Sequence, residues 1–92
     1  VMGLAKTLSL ELAADRITVN TLCPGLVDTP RLQLVTRQSG RAMEELAKGI
    51  PLSRLGRPED IAAVAAFLVS PRGAYVTGAT LQVDGGLLSS LR

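Results

Sequence analysis

The stretch "GRPEDIAAVAAFLVSP", 56–71, separates two short β-branched runs, and no other feature constrains the fold so tightly. Pro58 suits the first position of a helix, where its missing N–H would have no partner anyway. Glu59 and Asp60 fall in the first turn, at the positive end of the dipole, and Ser70-Pro71 stops the helix. Ile61, Val64, Ala65 and Leu68 recur at i, i+3, i+4 and i+7, the spacing of a stripe that faces a core. The flanking runs, 17–22 and 79–83, read as strands. Strands joined through a helix are parallel, and a parallel pair needs cover on both faces. Helix, strand, insert, helix, strand is half of a doubly wound α/β sheet, with too few elements here to cover it.

The sequence opens at Val1 already inside a helical pattern, without a cap, and so reads as the tail of something longer. Leu4, Leu8 and Leu12 share one face of that helix, while Ala5, Ser9 and Ala13 make a second face of small residues. A helix apolar on two faces is buried on two sides, in a large domain or at a subunit contact. Asp15-Arg16 ends it, with one residue turning left-handed. After the first strand comes "VNTLCPGLVDTP", 19–30. Pro24 has no N–H for a ladder, so the strand stops or leaves the sheet there. Residues 26–57 look loop-rich, with a polar centre at 33–41 and a short helix at 41–48; an insert of this length is usually functional, often a lid.

Composition excludes several classes. The 92 residues are 47% apolar, which argues against disorder, and 20% charged, with a net charge of only +2. The basic residues are scattered and the aromatics few, so neither a phosphate-tracking surface nor a base-stacking platform is expected, and no nucleic acid partner. With one Cys and no His there is no internal disulfide and no zinc site, and a reducing, cytoplasmic setting is the default. No run approaches the roughly 20 apolar residues of a membrane span, and no signal peptide is visible.

Three stretches, "GLAKTLSLELAADRITVNTLCPGLVDTP", "IPLSRLGRPEDIAAVAAFLVS" and "YVTGATLQVDGG", in this order and covering nearly the whole sequence, resemble the carboxy-terminal portion of the short-chain dehydrogenase/reductase family. The flavour is that of reductases acting on 3-oxoacyl-acyl-carrier-protein. The resemblance implies a Rossmann-type doubly wound sheet, of which 1–92 would be the carboxy-terminal segment. It further implies a nicotinamide cofactor, NAD or NADP, resting against the Pro-Gly corner beyond the strand's carboxyl end. Pro24 and Gly25 would shape that corner, Val27 would offer its backbone amide and carbonyl to the carboxamide, and Thr29 its hydroxyl to the carboxamide or the pyrophosphate. Residues 31–50 would form a substrate-side flap, with Leu32, Leu34, Val35, Met43 and Leu46 available for an apolar pocket and Gly40 and Gly49 as hinges. The substrate would be a small carbonyl or alcohol, a 3-oxoacyl thioester among them, and the assembly a homotetramer.

Plainer alternatives stay open: Pro-Gly as a simple turn, Thr29 as a helix cap before Pro30, and the flap's apolar residues packing on their own domain. Asn20 reads as satisfying neighbouring backbone groups, Asp28 as a solvated or capping carboxylate, and Asp84 as the tether that ends the last strand. Arg54, Arg57, Glu59 and Asp60 read as capping and local ion pairs, and Cys23 as a small hydrophobe. Neither Ser9 nor Tyr75 stands in a catalytic motif. The family's glycine-rich phosphate loop, Asn-Ala-Gly segment, catalytic Ser and Tyr-x-x-x-Lys do not occur in these 92 residues, so no residue is assigned to catalysis. The segment by itself is expected to be inactive, and an alternative reading makes it only an oligomerisation or interaction piece.

Overall fold

The computed structural model describes residues 2–90. Its elements run α1 (Met2–Leu12), a 3-10 turn (Ala13–Asp15), β1 (Thr21–Pro24), α2 (Pro30–Ser39), α3 (Met43–Lys48), α4 (Pro58–Val69), a second 3-10 turn (Pro71–Gly73), β2 (Thr80–Val83) and α5 (Leu87–Ser90). β1 and β2 pair in a two-stranded sheet. The Thr21 amide donates to Ala79 O at 2.9 Å and the Gly25 amide to Val83 O at 3.0 Å. The register advances equally and in the same sense along both strands, so the pair is parallel, as the intervening helix requires. The protein divides into two compact units, Val1–Cys23 with Ala62–Leu81 and Pro24–Ile61 with Gln82–Arg92.

In the first unit, α1 runs into its 3-10 turn and ends at Arg16, which is left-handed at φ 60° and donates its amide to Ala13 O. The strand begins later than the β-branched run suggests. Ile17 still closes the helix end through Leu12 O, and Val19 and Asn20 are held by hydrogen bonds to the loop before β2. Asn20 Nδ2 donates to Val76 O at 2.9 Å while its Oδ1 accepts from Ala79 N at 3.0 Å, so one amide group satisfies a donor and an acceptor of that loop. The α4 stripe behaves as its spacing demands: Leu68 is buried and Val64 and Ala65 half-buried. Much apolar surface remains open, with Leu10 80%, Val69 86% and Tyr75 fully exposed.

In the second unit the insert is more regular than its composition suggests. Where the sequence offers a polar centre, the structure has α2, with α3 following. Thr29 caps α2, its Oγ1 accepting from Leu32 N at 3.2 Å, and Pro30 fills the first turn. Gly40, at φ 75°, closes the other end by donating its amide to Arg37 O and Thr36 O. Ile50 is the buried apolar residue of this unit, and Gly85 lies close against it: a Cβ there would meet Ile50 Cγ2 at 2.7 Å. Asp84 ends β2 as a tether, accepting from Gly86 N and Leu88 N. Among the described residues, Ile50 and Leu68 are the only apolar residues that are buried, far short of closed cores on both sheet faces.

Candidate functional site

The corner 24–29 is built by two close approaches. Gly25 lies against the end of β2, where a Cβ would come within 2.6 Å of Asp84 Cβ and 2.8 Å of Asp84 Cα, so only glycine fits. The neighbour that requires glycine here is the protein's own Asp84. Beyond the corner, Val27 forms a parallel bridge with Gly56. The bonds of that bridge run from Gly56 N to Leu26 O at 2.9 Å and from Asp28 N to Gly56 O at 2.8 Å. They use the carbonyl before Val27 and the amide after it. Val27's own amide and carbonyl point to the opposite edge, and neither has a hydrogen-bond partner among the described residues.

A cleft of about 370 Å³ is lined by Pro24, Gly25, Leu26, Val27, Thr29, Arg31, Leu32 and Val35. The structure therefore gathers Pro24, Gly25, Val27 and Thr29 along one wall. Leu32 and Val35 join them from α2, whereas Met43 lines a different hollow, with Asp28 and Arg57. Thr29 spends an oxygen lone pair on the α2 cap and keeps its hydroxyl hydrogen to donate. Thr29 thus caps α2 and is also one of the residues lining the cleft. Arg31 is a site residue that sequence reasoning misses, because nothing in the polar stretch reveals that α2 brings it to this cleft.

A nicotinamide carboxamide offers an acceptor oxygen and an NH₂ donor. Val27 and Thr29, which line one mostly apolar cleft, carry a complementary set: a backbone N–H, a backbone C=O and a hydroxyl. Asp28 takes no part, since it is exposed and accepts from Gln33 Nε2 at 2.9 Å. Ser9 is buried and donates to Lys6 O, and Tyr75 projects into solvent.

A second cleft of the same unit, about 390 Å³, is lined by Leu26, Leu52, Arg54, Asp60, Ile61 and the 82–86 turn. Its charges are mutually engaged. Arg54 Nη1 meets Asp60 Oδ2 at 2.8 Å, and the Arg57 amide donates to the same oxygen at 2.8 Å. The Arg54 hydrogen bond, and then the Arg57 amide, hold the Asp60 carboxyl well below the usual carboxylate range, and the same bond raises Arg54.

A family model described as enoyl-(acyl carrier protein) reductase matches residues 1–88. The protein belongs to the short-chain dehydrogenase/reductase family. Among relatives in that family, it is 45% identical over 86 residues to the short-chain dehydrogenase anuF of Penicillium roqueforti, a match spanning 94% of the present sequence and 31% of that protein. It is 41% identical over 88 residues to the 3-oxoacyl-[acyl-carrier-protein] reductase FabG of Thermotoga maritima, spanning 96% and 35%. The crystal structure of YwfH, an NADPH-dependent reductase involved in bacilysin biosynthesis, superposes with a TM-score of 0.86 at 39% identity, over 94% of the present sequence and 35% of YwfH. The 92 residues thus span about a third of the length of the relatives they match, and their fold is the carboxy-terminal part of the family's Rossmann-type sheet.

Proposed function

We propose that these residues supply the nicotinamide-side wall and the substrate-side flap of an NAD(P)-dependent oxidoreductase acting on a small carbonyl or alcohol, a 3-oxoacyl thioester being the substrate class suggested by the FabG relative. One observation supports the reading above all: Val27, whose amide and carbonyl have no partner among the described residues, lines one mostly apolar cleft together with Thr29. When bound, the nicotinamide cofactor would donate or accept the hydride. Val27 would fix the carboxamide by its backbone groups, which sets which face of the ring turns inward, and Thr29 would donate to the same group. Pro24 and Gly25 would keep the corner rigid behind the ring. Residues 31–50, folded as α2 and α3, would border the substrate side and exclude water. Proton transfer falls to groups outside these residues, since none of them belongs to the family's Tyr-x-x-x-Lys.

Titration of NADH and NADPH into the protein that contains these residues, followed by nicotinamide fluorescence, tests the reading. Saturable binding is expected, weakened about tenfold in Thr29→Val and retained in Thr29→Ser. Absence of binding by the unsubstituted protein would overturn it.

The exposed apolar faces support a further element of the reading, assembly. Met2, Leu4 and Leu10 of α1 are open to solvent, and no helix of the described residues is long and apolar enough to cross a membrane. A second copy packing on α1, in a homotetramer, would cover them, and the single thiol Cys23 suits a reducing cytoplasm. The same faces favour the rival reading of an inactive interaction piece. Sedimentation separates the two: concentration-dependent assembly without nicotinamide binding would favour the rival.

A further inference from the structure

We infer that Arg31 is the anion-holding residue of the corner cleft, and that the ligand seated there bears a phosphate or carboxylate within its reach; this rests on the nicotinamide reading above. Arg31 lines the cleft with Val27 and Thr29, and among the described residues it is the only charged one to do so. It is exposed and forms no ion pair or hydrogen bond among the described residues. The carboxylate nearest in sequence, Asp28, is held by Gln33 and lines a different hollow. Its position also runs against local preference. Arg31 occupies the first turn of α2, which has no acidic residue, where the helix macrodipole disfavours a cation. A residue that costs its own helix something and pairs with nothing around it is free to pair with a ligand.

An apolar wall with one guanidinium fits a ligand whose flat, weakly polar part lies on Val27 and whose anionic part lies toward α2. Two sources share that chemistry: the diphosphate of the cofactor, and an anionic group on the substrate. The contact is solvent-exposed, so salt should screen it.

Arg31→Gln and Arg31→Lys in the protein that contains these residues provide the test, with three readouts. The first is the Kd of NADPH at low and high salt, with inorganic pyrophosphate as a competitor. The second is KM for a neutral and for a carboxylate-bearing carbonyl substrate. The third is thermal stability. If the cofactor is the source, Arg31→Gln weakens NADPH roughly fivefold to twentyfold at low salt, flattens its salt dependence and blunts pyrophosphate competition, with partial rescue by Lys. If the substrate is the source, Kd holds and only KM for the carboxylate-bearing substrate rises. In either case the melting temperature stays level or rises slightly, because a cation has left the positive end of α2. A fall in melting temperature with no change in Kd or KM would mark Arg31 as structural and overturn the inference. Unchanged values throughout would overturn it too, while NADPH binding by the parent protein would leave the nicotinamide reading standing. Failure of the parent to bind NADPH would remove both.

Discussion

Two clefts of nearly equal size, about 370 and 390 Å³, lie in one unit of this protein, and they differ in what their polar groups have left to do. In the cleft beside the 82–86 turn, Arg54 and Asp60 neutralise each other, Gly85 O accepts from Leu52 N, and Asp84 holds the turn's amides. Its polar chemistry is largely spent on the fold. Among the residues lining the corner cleft, the Val27 amide and carbonyl, the hydrogen of the Thr29 hydroxyl and the Arg31 guanidinium have no partner among the described residues. Volume does not distinguish the two. Unspent hydrogen-bonding capacity does, because polar groups on an apolar wall are costly to strand and useful to a ligand that satisfies them.

The largest blow to this contrast is Gly25→Ala. Its Cβ would press on the Asp84 backbone, and Asp84 lines the other cleft, so both should deform together. A loss of about 1–3 kcal/mol in urea unfolding is expected, together with weakened nicotinamide binding. Thr29→Ala should be milder, costing about 1 kcal/mol for the lost cap of α2 while removing the cleft's hydroxyl. If stability falls but cofactor affinity holds, Thr29 is a cap alone. Asp60→Asn should have the smallest effect, because its partner Arg54 is half-exposed. The sign follows from the depressed carboxyl pKa: the bond stabilises the fold above the ordinary carboxylate pKa of about 4, and that stability is lost as pH falls below it. Melting temperature followed from pH 7 to 2 should therefore decline less steeply in Asp60→Asn. Its nicotinamide affinity should match the parent's, which would sharpen the separation of the two clefts.

What is legible in the sequence is what local chemistry decides. The α4 stripe, the Asn20 staple and the Asp84 tether follow from residue type and spacing, and each is present; a left-handed residue at Asp15-Arg16 is also expected, and the structure assigns it to Arg16. Helix α2 is not legible in the same way, because residues 33–41 include too few apolar side groups to show a period. It stands on its ends instead, Thr29 at one and Gly40 at the other, and a Thr-Pro followed by a Gly ten residues on is the signal available. The site residues before Pro30 can be named together because they are nearly consecutive. Arg31, Leu32 and Val35 join them only once α2 is known to be helical. The pairing of Val27 with Gly56, which leaves Val27's own backbone groups outside the bridge, depends on a contact across 29 residues that no pattern announces. Helix α1, expected to be buried on two sides, keeps only Ser9 buried among the described residues while Leu4 and Leu10 stay open, the consequence of a sheet with too little cover.

The most direct test of the corner cleft as the nicotinamide wall is the backbone amide spectrum of the isotopically labelled protein during titration with NADPH. Val27 and Thr29 should shift most, with Leu32 following through its bond to Thr29, while Gly85, Gly86 and Leu52 stay still. Shifts concentrated on the 82–86 turn and Leu52, with Val27 unmoved, would place the ligand in the other cleft and contradict that assignment.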